Sequence, residues 1–270
     1  MHGIIALQSS ANVVNCAIAG AAGLVACAFA LSTFDRWLRR RQPHELAWSI
    51  AMALFSAGAL ALWWAESTGW TIEAFRLFFL CGAVLNVSWL ALGTVYLLWG
   101  KTIGNHVRTW LIAGSGFAVG VVFASSAKTA IDPAEFPVGR EVFGPGPRIL
   151  AAIGSGVPAI LIIVGALWSS WRVMRRNSPT YSTPTQSSSH SRIVMSPGRL
   201  AIGNVVIAVG TLILSASGLI AGRLGQDRAF AITLLVGVSA LFGGFLIASN
   251  PTRQRSMQFA PQHLAGTTNG

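Results

Sequence analysis

The sequence predicts an all-α membrane protein, a bundle of seven transmembrane helices with the N-terminus outside and the C-terminus cytoplasmic. Three observations carry that expectation. The 270 residues are 53% hydrophobic and 10% charged, whereas soluble domains hold about 25% charged residues. The apolar residues gather into seven stretches of 19 to 25 residues; a helix rising ~1.5 Å per residue needs about that length to cross a ~30 Å hydrocarbon core. Finally, 13 of the 19 Lys and Arg residues fall in alternate connections and the C-terminal tail, the asymmetry that marks the cytoplasmic side.

Span 1 covers residues 12–34, after a short uncharged start. It lacks the basic opening of a signal peptide. Leu24-Val25-Ala26-Cys27 has the form of a lipoprotein cleavage box, but the missing basic start and the Arg-rich segment that follows favour a retained helix. A basic loop, DRWLRRRQPHE (residues 35–45), leads to span 2 at 46–65. A short turn at 66–74 precedes span 3 at 75–99, and a basic turn at 101–108 precedes span 4 at 109–127. In span 4, Gly116 and Gly120 have GxxxG spacing, which permits close helix contact.

The outer loop at 128–148, KTAIDPAEFPVGREVFGPGPR, holds four prolines and three glycines and is expected to lack regular structure. Span 5, at 149–171, carries Pro158, which removes the hydrogen bond to the Gly154 carbonyl and should kink the helix. Residues 172–199 form a Ser/Thr/Pro-rich cytoplasmic loop that reads as a mobile linker. Spans 6 and 7 cover 200–221 and 229–249, and 250–270 is a polar tail expected to be disordered. No soluble domain and no internal repeat is visible.

The net charge of +11 does not indicate nucleic acid, because the basic residues sit in short loops between apolar spans. Tryptophans support the same frame. Trp37, Trp48, Trp99, Trp110, Trp168 and Trp171 fall at the inner interface, Trp63, Trp64 and Trp70 at the outer one, and Trp89 alone lies deep. Cys16, Cys27 and Cys81 lie within spans without ligand spacing and read as small buried apolar residues.

Span 3, FRLFFLCGAVLNVSWLALGTVYLLW, is expected to sit inside the bundle. At ~100° per residue, Phe75, Gly82, Asn86, Trp89 and Gly93 share one face. Asn86 is the candidate for holding a ligand or a water near mid-membrane, with Trp89 as a flat wall; the alternative is an interhelical hydrogen bond. Asn15 and Asn204 lie nearer the interfaces and read as structural. Glu66 and Arg76 sit ten residues apart across the outer turn and can pair, with Glu73 competing, either as a structural ion pair or as a charged mouth. Asp132, Glu135 and Glu141 make the outer loop acidic. That loop is either a lid with affinity for a cationic group or a solvated connector; loops of this length are often functional. Ser178 and Ser196 precede prolines among arginines, where phosphorylation would alter docking to anionic lipid.

All five histidines, His2, His44, His106, His190 and His263, fall in loops or tails, so no cofactor or metal is expected. No lysine in span 7, P-loop, GxSxG or kinase motif appears, and no catalytic constellation is found.

Three passages, FRLFFLCGAVLNVSWLALGTVYLLWG, PAEFPVGREVFGPGPRILAA, and NVVIAVGTLILSASG with RLGQDRAFAITLLVG, resemble a family of uncharacterised seven-helix membrane proteins of the actinobacterial type. The resemblance implies an integral membrane protein of unassigned function and supplies no catalytic residues; the expected location is a bacterial plasma membrane, crossed several times. In plan the chain also looks like the seven-helix input regions of bacterial sensor kinases. The expected function is a sensor or small-ligand-binding protein acting through a partner. A structural subunit of a membrane complex, or a carrier for a small neutral or lipid-like solute, is the alternative; a lipid-acting enzyme using the outer-loop acids has no paired constellation behind it. The expected surroundings are the lipid bilayer and a membrane-protein partner or a second copy of the chain, with no nucleic acid.

Overall fold

A computed structural model describes residues 2–176, 202–203, 205–214 and 227–249. The described residues form helices and connecting turns, with no strand among them. The helices are α1 (His2–Arg40), α2 (Pro43–Thr68), α3 (Ile72–Phe78), α4 (Asn86–Ala124), α5 (Gly139–Val142), α6 (Pro145–Ala151), α7 (Val157–Arg176), α8 (Val205–Leu214) and α9 (Asp227–Ser249). Phe79–Leu85 joins α3 to α4, and Ala152–Gly156 joins α6 to α7, each as a π-helical segment. Four runs are long and apolar enough to cross a membrane: Val13–Arg40, Pro43–Thr68, Ile72–Ala124 and Pro145–Gly165. Asn204, the loop serines and the C-terminal tail lie outside the described residues.

The Ile72–Ala124 run has 53 residues. Straight, it would reach ~80 Å, far beyond a ~30 Å hydrocarbon core. It does not stay straight, because Gly100 has φ 80° and ψ −174°, a backbone conformation open in practice only to glycine. Three contacts show the chain doubling back there. Tyr96 Oη donates to Asn105 Oδ1 at 2.9 Å, Trp89 Nε1 to Ser115 Oγ at 3.3 Å, and Arg76 Nη2 to the Ser125 carbonyl at 2.8 Å. Each pair brackets Gly100 almost symmetrically, so α4 is a helical hairpin. Arg76 closes it by capping the C-terminal carbonyls of its second arm, where a cation also meets the negative end of the helix dipole.

The remaining core is built by close contact between small residues. Ala19, Ala22 and Ala26 of α1 and Ala51 of α2 have no exposed surface. Ser56 Oγ donates to the Gly23 carbonyl at 2.9 Å and Ser49 Oγ to that of Ala30 at 3.0 Å. Such bonds between a hydroxyl and the backbone of a neighbouring helix hold closely packed helices together. Helix α9 joins through aromatic contacts: Phe29 lies 4.8 Å from Phe242 and 4.9 Å from Phe245, and Trp48 meets Phe245 edge-on at 5.4 Å.

Several expectations need correction. The basic loop at 35–45 shrinks to Arg41 and Gln42. Asp35 and Arg39 pair at i,i+4 and extend α1, while Pro43 opens α2 with its fixed φ. Glu45 is therefore a buried residue of α2, paired with Arg36 at 3.2 Å. The outer loop is not free of regular structure, since it contains α5 and the start of α6, which Pro145 initiates. The turn at 101–108 is helical, and α7 continues through Arg176. Cys27 is exposed, Cys16 half-buried and only Cys81 buried. Trp48 and Trp70 pack inside the bundle rather than at its rim; Trp70 is 4% exposed. Gly116 and Gly120 face open space and contact no other helix of the described chain.

Candidate functional site

The two π segments touch. A Cβ on Gly154 would stand 2.6 Å from the Val84 carbonyl, so only glycine allows this approach. Pro158 has no N–H, and the Gly154 carbonyl that it would serve in a regular helix accepts instead from Ser88 Oγ at 2.7 Å. A hydroxyl of one helix thus satisfies the acceptor freed by a proline of another. The proline expresses itself as the π segment directly before it.

Beside this junction lies a cavity of about 590 Å³, within the ~300–1,000 Å³ range of small-molecule sites. It is bounded by α2, α3, α4, α7, α8, α9 and the outer loop, and no charged residue lines it among the described residues. The residues facing it from the third span form two rows that step by four, Phe75, Phe79, Ala83 and Val87 beside Phe78, Gly82, Asn86 and Leu90. In an uninterrupted α-helix such a series drifts ~40° per step. The wider π turn offsets the drift and keeps the series on one wall.

The outer loop forms the roof with its apolar residues. Phe136, Pro137 and Val138 line the cavity, while Asp132, Glu135 and Glu141 are all exposed. Asp132 Oδ1 accepts from the Ala134 amide at 2.9 Å, and Glu141 lies 3.5 Å from Arg140. The loop is pinned at both sides. Trp70 N donates to the Pro133 carbonyl at 3.0 Å and Lys128 N to that of Val142 at 2.9 Å. Below it, Phe136 meets Trp70 at 5.1 Å, and Phe143 stacks on Phe75 at 5.3 Å. This aromatic layer separates the loop from the cavity floor.

Asn86 lies deeper, 6% exposed, and its Oδ1 has no hydrogen-bond partner among the described residues. An unpaired buried acceptor costs about 1–3 kcal/mol. Asn15 Oδ1, on α1, is also buried without a partner among the described residues, but it does not line this cavity. Trp89 does not serve as a wall for Asn86. It faces a second, smaller cavity between α2 and the two arms of α4, with its Nε1 committed to Ser115. Both residues follow the π segment, and the ~60° between them in the regular helix α4 turns them to different cavities. Glu66 Oε1 accepts from Trp70 Nε1 at 3.3 Å, and Arg76 turns to the Ser125 carbonyl, its Nε buried and unpaired among the described residues. These two residues brace the outer turn and the hairpin rather than line the cavity.

Sequence reasoning passed over Ser88 and Phe136, and named Gly154 only for the carbonyl that Pro158 frees. The signal for Ser88 was present: Pro158 frees a carbonyl that some donor at the same depth must meet. Among the described residues no cluster of His, Cys, Asp and Glu is placed to hold a metal ion. No family model matches the chain, and no curated protein or solved structure is similar to it.

Proposed function

We propose that the chain is a seven-span protein of the bacterial plasma membrane, N-terminus outside, that binds an uncharged amphiphile in the outer cavity and acts as a sensor through a membrane partner. The apolar runs support seven crossings. Ile72–Ala124 counts twice because it turns back at Gly100, and the shorter apolar helices Val205–Leu214 and Ala231–Ile247 join the other three long runs. Loop charge supports the orientation.

The observation that carries the binding reading is Asn86, which lines an uncharged cavity with its Oδ1 unpaired among the described residues, whereas the other two polar lining residues, Ser155 and Thr211, donate to the carbonyls of Ala151 and Ile207. An acceptor without a partner asks for a ligand donor, a hydroxyl or an N–H. A lining without charge gives an ionised ligand nothing to offset its desolvation. The chemistry that fits is a medium-length isoprenoid or alkyl alcohol, its chain among the phenylalanines and its hydroxyl on Asn86. The fixed, apolar underside of the outer loop supports a roof over such a ligand. A carrier coupled to ion movement would need charged groups beside the solute, and the lining has none.

A thermal-shift titration tests this with an isoprenoid alcohol, its methyl ether and the matching carboxylate. At a hundredfold excess over Kd the alcohol should stabilise the folded protein by about 2.7 kcal/mol, and the ether and carboxylate should not. Asn86→Leu should remove the effect. Equal stabilisation by alcohol and ether, or full binding by Asn86→Leu, would sink the assignment and shift weight to the structural-subunit reading.

A further inference from the structure

The smaller cavity, of about 340 Å³, lies at the opposite end of span 3, between the N-terminal turns of α2 and both arms of the α4 hairpin. Its walls are aliphatic, with Leu46, Ile50, Leu92 and Ile112 on three sides and the Trp89 and Tyr96 rings completing them. Both ring polar atoms are already satisfied, Trp89 Nε1 by Ser115 and Tyr96 Oη by Asn105. The remaining polar feature is different in kind. Arg108 lines the same cavity, is exposed, and makes no ion pair or hydrogen bond among the described residues. Lys101 stands seven residues earlier, two helical turns away on the same face.

We propose that this slot holds one phospholipid with a net-negative headgroup, an acyl chain between α2 and the hairpin and the phosphate on Arg108. The argument is charge complementarity joined to an apolar channel. A free guanidinium at the mouth of an aliphatic slot is matched by a molecule with an anion at one end and a hydrocarbon chain at the other. Arginine's fork suits a phosphate better than a point charge would. The slot lies at the end of the bundle where loop arginines concentrate, the side where anionic headgroups favour basic residues. The inference is independent of the outer cavity, whose open polar group is an uncharged acceptor.

The test uses the full chain, delipidated in an uncharged detergent, and calorimetric titration with short-chain phosphatidylglycerol, phosphatidylcholine of the same chains, and free glycerol phosphate. The expected result is at least tenfold tighter binding of phosphatidylglycerol than phosphatidylcholine, and no binding of glycerol phosphate. Arg108→Gln should bring phosphatidylglycerol down to the phosphatidylcholine level without changing the latter. Ile112→Trp, which fills the slot from an exposed position, should weaken both lipids at least tenfold, with helix content by circular dichroism unchanged. Equal affinity for the two lipids, a preference that survives Arg108→Gln, or competition by glycerol phosphate would each overturn the proposal. So would equal loss of the preference in Lys101→Gln, which would assign it to diffuse surface charge.

Discussion

The Ser88–Gly154–Pro158 junction makes the sharpest prediction about stability. Ser88 Oγ donates at 2.7 Å to the carbonyl that proline leaves without an amide partner. Interhelical hydrogen bonds in membrane proteins average about 0.6 kcal/mol and reach about 1.7. This one should lie near the upper end, because Ser88→Ala leaves a carbonyl with no local N–H to replace the lost donor. We expect a loss of about 1.5 kcal/mol. Restoring an amide with Pro158→Ala puts a second donor within reach of the same carbonyl. In that background Ser88→Ala should cost only about 0.5 kcal/mol, a coupling of about 1 kcal/mol. Equilibrium unfolding in mixed micelles, read against SDS mole fraction, resolves such differences. Ser49→Ala serves as the control, since its hydroxyl bonds the Ala30 carbonyl and shares no partner with Pro158. Its cost should be the same in both backgrounds. If Ser88→Ala also costs the same in both, the hydroxyl does not compensate for the proline and the reasoning fails.

Gly100→Ala forces a Cβ into φ 80°, ψ −174°, at a cost of about 1–3 kcal/mol; spin labels at positions 89 and 115 should move apart or broaden in distance, and an unchanged distribution would refute the hairpin hinge. Arg36→Ala strands Glu45, 2% exposed and with Oε2 already unpaired, and should cost about 3 kcal/mol, whereas Arg36→Met with Glu45→Met should recover most of it. Melting curves of the single and double variants decide the point. Asn86→Leu should raise the stability of the ligand-free protein by about 1 kcal/mol by removing an unpaired acceptor, and a destabilised variant would mean that the amide already has a partner. In a background without Cys16, Cys27 and Cys81, a membrane-impermeant maleimide on intact cells should label Ala130→Cys and not Ser256→Cys; the reverse pattern would invert the proposed orientation.

The apolar stretches were readable because lipid imposes one demand on every crossing segment, its length in hydrocarbon. Their ends were less readable. Hydropathy marks where a helix leaves hydrocarbon, but Asp35–Arg39 pairing and Pro43 carry helix through polar residues up to a two-residue turn. The interior of span 3 was legible only in part. Its cavity wall depends on a π segment, and no residue in FLCGAVL announces a wider turn. Asn86 and Trp89 both follow that segment, and the ~60° between them in an ordinary helix is enough for the fold to give them to separate cavities. Pro158 was legible as a break, but not the identity of the donor that repairs it, because Ser88 is near Gly154 only in three dimensions. The acids of the outer loop attracted attention by their charge, while its contribution to the cavity comes from Phe136, Pro137 and Val138.

What distinguishes the two cavities is the polar group that each leaves open. In a bundle this poor in charge, interior hydroxyls are paired with backbone carbonyls: Ser49, Ser56 and Ser88 donate to a neighbouring helix and Thr33 to its own. Against that background an open group carries information, since burying a polar atom without a partner is costly in hydrocarbon. Asn86 lines an uncharged chamber roofed by aromatic rings, its buried Oδ1 unpaired among the described residues, and Arg108 lines an aliphatic slot. One asks for a neutral donor and the other for an anion with a chain. Span 3 and the hairpin at Gly100 join the two chambers, so a ligand that moves the π segment in one has a continuous helix through which to reach the wall of the other. Coupling of that kind is reciprocal. If the isoprenoid alcohol tightens phosphatidylglycerol binding, phosphatidylglycerol must tighten the alcohol by the same factor, and two titrations that disagree would dismiss the link.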